Sequence, residues 1–340
     1  MKTGRKIIIT VCVAVLAVLL SIGLGSVRVP ILDIVRVIGY RAFGFALPEH
    51  ITASSVSIVW NLRLPRVLLA FAAGAALSTS GAVMQSVLRN PLASSYTLGV
   101  SSGASLGASL VIFMGITLPV VTMFSLPLIG FGFGFLTILL VMGIASRLDG
   151  RMETHTIILT GVVFSLFVNA ITTLLFALFR ENIQRMLFWQ MGSFSTRGWY
   201  AVFILLPLVV LGILFISRFK WELDIMTFGE EQAQVVGVNI RRVKWILLVV
   251  SSALTGATVA FVGVIGFVDL VTPHIVRKLF GSRHRYLIPM SAVVGGAFMA
   301  ICDLVARTVV SPIELPVGTV TAILGAPFFA YIYFSKRKRV

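Results

Sequence analysis

The sequence predicts an all-α, polytopic membrane protein of about ten transmembrane helices with an inverted internal repeat. Three observations carry this. Of 340 residues, 58% are hydrophobic and only 12% are charged, and the mean hydropathy of +1.03 is far above what a soluble domain of this length can carry on its surface. Apolar runs reach the ~20 residues that a helix needs to cross hydrocarbon, whereas alternating strand patterns are absent. Basic residues fall singly or in short clusters at the ends of those runs, so the net charge of +16 is topological and predicts no nucleic-acid partner.

In order along the chain, Lys2, Arg5 and Lys6 precede a first apolar run, 7–24, which is longer than the core of a signal peptide and reads as a retained span. Residues 27–60 mix Pro30, Asp33, Arg36, Arg41, Pro48 and Glu49 with short apolar stretches, as an external loop with an interfacial helix does. Further spans are predicted at about 62–85, 95–115, 123–145, 156–179 and 200–217. The third opens with Gly99, Gly103 and Gly107 at four-residue intervals, a smooth face for close helix contact. On the fifth, Ser165, Asn169 and Thr172 share one face. That face either bonds a neighbouring helix or lines a watery translocation path. Residues 180–199 read as external, with Trp189 and Trp199 at interfacial depth.

The longest polar interruption is 225–244, IMTFGEEQAQVVGVNIRRVK. Thr227 and Glu230 have capping-box spacing, Glu230 and Glu231 suit the positive end of a helix, and Gly237 suits its end. Arg241, Arg242 and Lys244 are costly to bury and mark a membrane edge. The segment is either a solvated loop or a short docking helix pressed by a soluble partner. A seventh span at 245–263 follows, then a short helix broken at Pro273, a ninth span at 286–308 with Asp303 and Arg307 as an i, i+4 pair, and a tenth at 317–334.

With both termini inside, nineteen of the 28 basic residues, including every lysine, lie on the inner side, which places 225–244 in the cytoplasm. Aligning Arg66 with Arg241 sets SGAVM (80–84) against TGATV (255–259) in spans of opposite direction, which is the basis of the inverted repeat.

Chemistry is sparse. No GxxxxGK[ST] phosphate loop is present, so energy for pumping must come from another chain. The four histidines have no ligand spacing, and no metal or cofactor is predicted. Asp269 leaves open an ion-gradient-driven secondary transporter. Arg63, Arg66 and Arg307 stand at the outer mouth with no obvious acidic partner. They either mark the interface or receive carboxylates from a docking protein or anionic ligand.

Several runs together resemble one family: RLPRVLLAFAAGAALSTSGAVMQ, RNPLASSYTLGVSSGASLGA, FGEEQAQVVGV, SSALTGATVAFVGVIGFVDLVTPHIVR and DLVARTVVSPIELPVGTVTAILGAPFF. They are similar, in order and over most of 63–329, to the FecCD-type permease subunits of ABC importers for iron-siderophore complexes, haem and cobalamin. The resemblance implies one permease domain over 1–340 in the bacterial cell membrane, not itself an enzyme, that moves an iron-siderophore-type complex. It also implies a second permease subunit, two cytoplasmic ATP-binding subunits and an extracytoplasmic substrate-binding protein. By the same resemblance Gly229, Glu230, Glu231, Ala233 and Gly237 belong to the ATPase-coupling segment, and Arg63, Arg66 and Arg307 to the docking site of the binding protein. Asp269 departs from the small residue usual at its position.

Overall fold

A computed structural model describes residues 3–25, 27–116, 118, 124–195 and 197–337, with side chains to residue 330. Lys2, Met123, Lys338 and Arg339, used above to bound spans and set topology, lie outside the described residues, as do the side chains of Lys336 and Arg337.

Among the described residues every regular element is helical. The first is α1 (Thr3–Gly23). An amphipathic helix, α2 (Ile31–Phe43), buries Ile34 and Val37 and is closed by Gly44 in the left-handed region, φ 73°. Next comes α3 (Ala53–Val87), 35 residues long, with a π-helical turn at Ile58–Arg63. A short 3₁₀ turn at Ser95–Leu98 leads to α4 (Val100–Met114), followed by α5 (Ser125–Leu148), α6 (Thr154–Leu178) and the short α7 (Ile183–Gln190). After α8 (Gly198–Ser217), two short helices, α9 (Lys220–Met226) and α10 (Glu230–Val235), occupy the polar interruption. The chain closes with α11 (Ile240–Val262), α12 (Val268–Phe280), α13 (His284–Thr308) and α14 (Val317–Arg337). Among the described residues seven helices are long and apolar enough to cross a membrane: α1, α3, α5, α6, α8, α11 and α13.

The bundle is built around α3, which packs on α13, α11, α8 and α12. Glycines set how closely these helices approach. A Cβ on Gly74 would lie 2.1 Å from the Gly295 carbonyl oxygen on α13, and one on Gly295 would lie 2.5 Å from that of Gly74, so the two backbones touch where neither carries a side chain. The small-residue face of α4 is a packing face of the same kind: a Cβ on Gly103 would meet Thr137 Oγ1 of α5 at 2.1 Å.

Pro273 does not break its helix as the sequence suggests. α12 runs through it, and the chain turns instead at 263–267, where Gly263 (φ 80°) and Phe267 (φ 69°) are left-handed. Proline lacks the N–H that would bond the Asp269 carbonyl one turn earlier. Gln85 of α3 fills the gap, its Nε2 donating to the Asp269 carbonyl at 3.0 Å while its Oε1 accepts from Arg277. The approach requires Gly81, because a Cβ there would sit 2.0 Å from the same carbonyl oxygen.

Two more expectations change. Trp189 is not interfacial but buried among Phe113, Leu175 and Met186. Trp199 lies tilted against Trp60, ring centroids 5.0 Å apart, and donates from Nε1 to the Trp60 carbonyl at 2.9 Å. The order long, short, long recurs in α3–α4–α5 and α11–α12–α13, and Ser80 Oγ of the first set donates to the Ser251 carbonyl of the second at 2.9 Å.

Candidate functional site: two polar ends of the bundle

The polar groups gather at the two ends. At one end stand the π turn of α3, the C-terminus of α1 and the C-terminus of α13. Arg66 Nη2 and Nε donate to Asp303 Oδ1 at 2.9 and 3.0 Å, and Nη1 donates to Glu314 Oε1 at 2.8 Å. Ser195 Oγ donates to Glu314 Oε2 at 2.6 Å. Arg63 donates to the carbonyls of Ile22, Gly23 and Val27, and Arg307 to that of Ser21. The absence of an acidic partner expected for these arginines is therefore corrected. Arg66 has two carboxylates, and Arg63 and Arg307 satisfy the free carbonyls at the negative end of α1. Asp303 belongs chiefly to Arg66, with Arg307 Nε farther off at 3.6 Å. No sequence spacing announces these bonds, because Arg66 and Glu314 are 248 positions apart.

Burial alone would raise the Glu314 carboxyl, yet hydrogen bonds from Arg66 and Ser195 and the Arg66 charge outweigh it and hold it below the ordinary glutamate range. A lowered carboxyl stabilises the fold above its unfolded value, and that contribution is lost as pH falls through the lower folded value. Acid should therefore release the 309–316 loop. The protection of this loop's amides, taken as exchange relative to the intrinsic rate at each pH, should fall on acidification in the native chain, and in Glu314→Gln should be already low near neutrality and far less pH-dependent.

At the other end lies the polar interruption. The expected capping box is absent: Thr227 caps nothing and donates to the Asp224 carbonyl at 2.6 Å, while α10 begins after Gly229, whose φ of 137° excludes a side chain. Gly237 does end the helix as expected. At φ 92° it lets its own N–H reach the Gln234 carbonyl at 2.9 Å and the Val238 N–H reach that of Ala233 at 3.0 Å, the paired bonds of a Schellman motif. Ala233 is fully buried, whereas Phe228, Val235 and Val236 are 80%, 88% and 69% exposed. Glu231 is also exposed.

Lys244 is not an exposed membrane marker but fully buried, donating from Nζ to Glu230 Oε2 at 2.8 Å and to the Met152 carbonyl at 2.9 Å. Arg241 and Arg242 are exposed, as the sequence suggests. A second tie joins α9 to α13 and α3. Asp224 Oδ1 accepts from the His284 backbone N–H at 2.8 Å and lies 2.7 Å from its Nδ1, and His284 Nε2 is 2.7 Å from Ser86 Oγ.

On α6 the three predicted path residues do not act alike. Ser165 and Thr172 bond back to the carbonyls of Gly161 and Val168, at 2.7 and 3.0 Å, and Thr172 is buried. Asn169 lies on the exposed rim of that face. Asp269 is buried and accepts from Ser94 Oγ. Among the described residues no cluster of His, Cys, Asp and Glu could hold a metal ion.

Arginine bonds to carboxylates and carbonyls tie one end of a bundle of membrane-spanning helices, and a half-exposed short helix stands at the other. The chain belongs to the FecCD transport family, which matches residues 13–335. It is similar to the uncharacterized ABC transporter permease protein YvrB of Bacillus subtilis, 42% identical over 95% of this chain and 91% of that one. The cobalamin import system permease protein BtuC of Halobacterium salinarum is 39% identical over 87% and 77%. Among solved structures, an inward-facing ABC transporter of metal-chelate type superposes with a TM-score of 0.85 at 29% identity, over 98% of this chain and 99% of that one. The protein is a multi-pass ABC-type permease, a transport component and not an enzyme, and family membership displaces the ion-gradient reading of Asp269.

Proposed function

We propose that this permease imports a metal chelate of the iron-siderophore type, handed to it by an extracytoplasmic binding protein and driven by cytoplasmic ATP-binding subunits that grip α10. The observation that carries this is the two-sidedness of α10: Ala233 and Glu230 fix one side to the bundle, while Phe228, Val235 and Val236 stand out from its end. The whole chain forms one permease domain of ten spans. Seven are the long apolar helices, and α4, α12 and α14 supply the other three. Both termini are cytoplasmic, and the membrane is the bacterial cell membrane, in keeping with the inner bias of the lysines.

The path runs between this chain and a second permease subunit, a copy of it or a related chain, and the exposed rim of α6 with Asn169, flanked by Ser165 and Thr172, faces it. The binding protein settles on the end bearing Arg63, Arg66 and Arg307. There Glu314, 45% exposed, can give up Arg66 to an incoming carboxylate. The chelate class rests on the metal-chelate transporter that the fold matches and on the cobalamin permease among the relatives.

The test is copurification from native membranes with identification of the bound ATPase and binding protein, followed by uptake of iron-loaded hydroxamate and catecholate chelates, haemin and cobalamin. Val235→Arg and Glu231→Arg should insert normally yet lower ATPase binding and uptake about tenfold or more. Normal uptake in both variants would remove α10 as the grip, and uptake of cobalamin alone would replace the cargo.

A further inference from the structure

The two bonds of the buried Lys244 join elements distant in sequence. One goes to Glu230 at the start of α10, the other to the Met152 carbonyl in the turn between α5 and α6. That turn is built to hold its shape. Asp149 accepts the backbone N–H groups of Arg151 and Glu153 at 2.9 and 2.6 Å, bonds that keep its carboxyl below the ordinary range. Met152 is buried with φ 52°, a left-handed conformation that a side chain adopts only where its surroundings enforce it. Lys244 itself is the fifth residue of α11, at the start of its second turn, with its side chain fully buried. An ammonium removed from water must be matched by acceptors, so neither bond can open without leaving a buried charge short of a partner.

We infer that Lys244 is a positioning residue that locks α10, α11 and the 149–153 turn into one rigid body, so that a push on α10 moves α5, α6 and α11 together. The inference rests on the reading of α10 as the ATPase grip and adds how that grip is transmitted. α10 is only six residues long and meets α11 through few contacts of its own, so a flexible tie would let it yield under load. The Lys244 clamp removes that freedom.

The experiment uses the copurified complex in a Cys12→Ser background, because Cys12 is exposed and Cys302 is buried. Spin labels are placed at Gln234→Cys on α10 and Leu148→Cys at the end of α5, both exposed. Distances between them are measured with and without ATP and vanadate, and cross-linking from Val235→Cys reports contact with the ATPase.

With Lys244 present, the distance should be narrow and unchanged by nucleotide. In Lys244→Met it should broaden and shift on adding ATP and vanadate while the cross-link persists. Substrate moved per ATP hydrolysed, read with the chelate that the native complex takes up, should fall roughly threefold to thirtyfold. Glu230→Gln, which keeps the shape and the Met152 bond, should show the same nucleotide-dependent broadening and carries the test if Lys244→Met does not assemble. The double variant should be no worse than the more affected single one, since the pair acts as a unit.

A merely structural lysine would lower thermal stability and leave the label distance and the transport ratio unmoved, and that result overturns the clamp. No Val235 cross-link in the otherwise native complex overturns the grip on α10 as well.

Discussion

Gly81→Val should leave little folded permease. The added Cβ would lie 2.0 Å from the Asp269 carbonyl oxygen and 2.6 Å from its carbon, and both belong to backbone that cannot rotate away. α3 and α12 must then separate, which costs about 1–3 kcal/mol for overpacking. Separation also withdraws Gln85 from the carbonyl that Pro273 leaves without a helical donor, and a buried acceptor left unpaired adds about 1–3 kcal/mol. In detergent the variant should lose its monodisperse peak on size exclusion. Gly132→Val, where no atom lies within 4 Å of the added carbon, should keep it. A Gly81→Val protein that melts like the native one would show that the approach of α3 to α12 is not held as described.

Arg66→Met should be nearly as damaging, for an electrostatic reason. Asp303 has a fully buried side chain and takes three of its hydrogen bonds from Arg66, so the variant strands a carboxylate with only Arg307, 3.6 Å away. Removing one partner of a buried ion pair costs about 3–5 kcal/mol, whereas replacing both by apolar groups is often close to neutral. The thermal melting point should therefore drop sharply in Arg66→Met and recover in Arg66→Met/Asp303→Leu. The same two variants divide the roles of this arginine. If Arg66 meets the binding protein directly, docking affinity stays low in the double variant. If it works only inside the permease, affinity returns with stability.

The spans were largely legible because each is a local property. An apolar run of sufficient length has to be a helix in lipid, so α1, α5, α6, α8, α11 and α13 lie within about five residues of where the hydropathy puts them, whereas α3 begins at Ala53, nine residues before the predicted 62 and inside the stretch read as a loop. Gly237 was legible for a similar reason, since the left-handed residue that ends a helix is a local requirement. Misreadings arose where a residue's partner lies far along the chain. Thr227 and Glu230 have capping-box spacing, but Glu230 is engaged by Lys244 and Thr227 by Asp224. Pro273 is a helix breaker by its own chemistry, yet Gln85, brought in from α3, supplies the donor that keeps α12 continuous. Trp189 looks interfacial by type and is buried because Phe113 and Met186 cover it.

The sequence by itself determined a lipid-embedded helical permease, its polar interruption and the residues that make α10 a candidate grip, because hydrophobicity, charge placement and turn chemistry act within a few residues. Only the tertiary structure decided which charges are paired. Arg66 finds Asp303 and Glu314, Arg63 and Arg307 find the end of α1, and Lys244 finds Glu230 and Met152. A buried charge is tolerated only where several acceptors converge on it, and convergence from remote parts of the chain is a property of the packed fold that no linear spacing records.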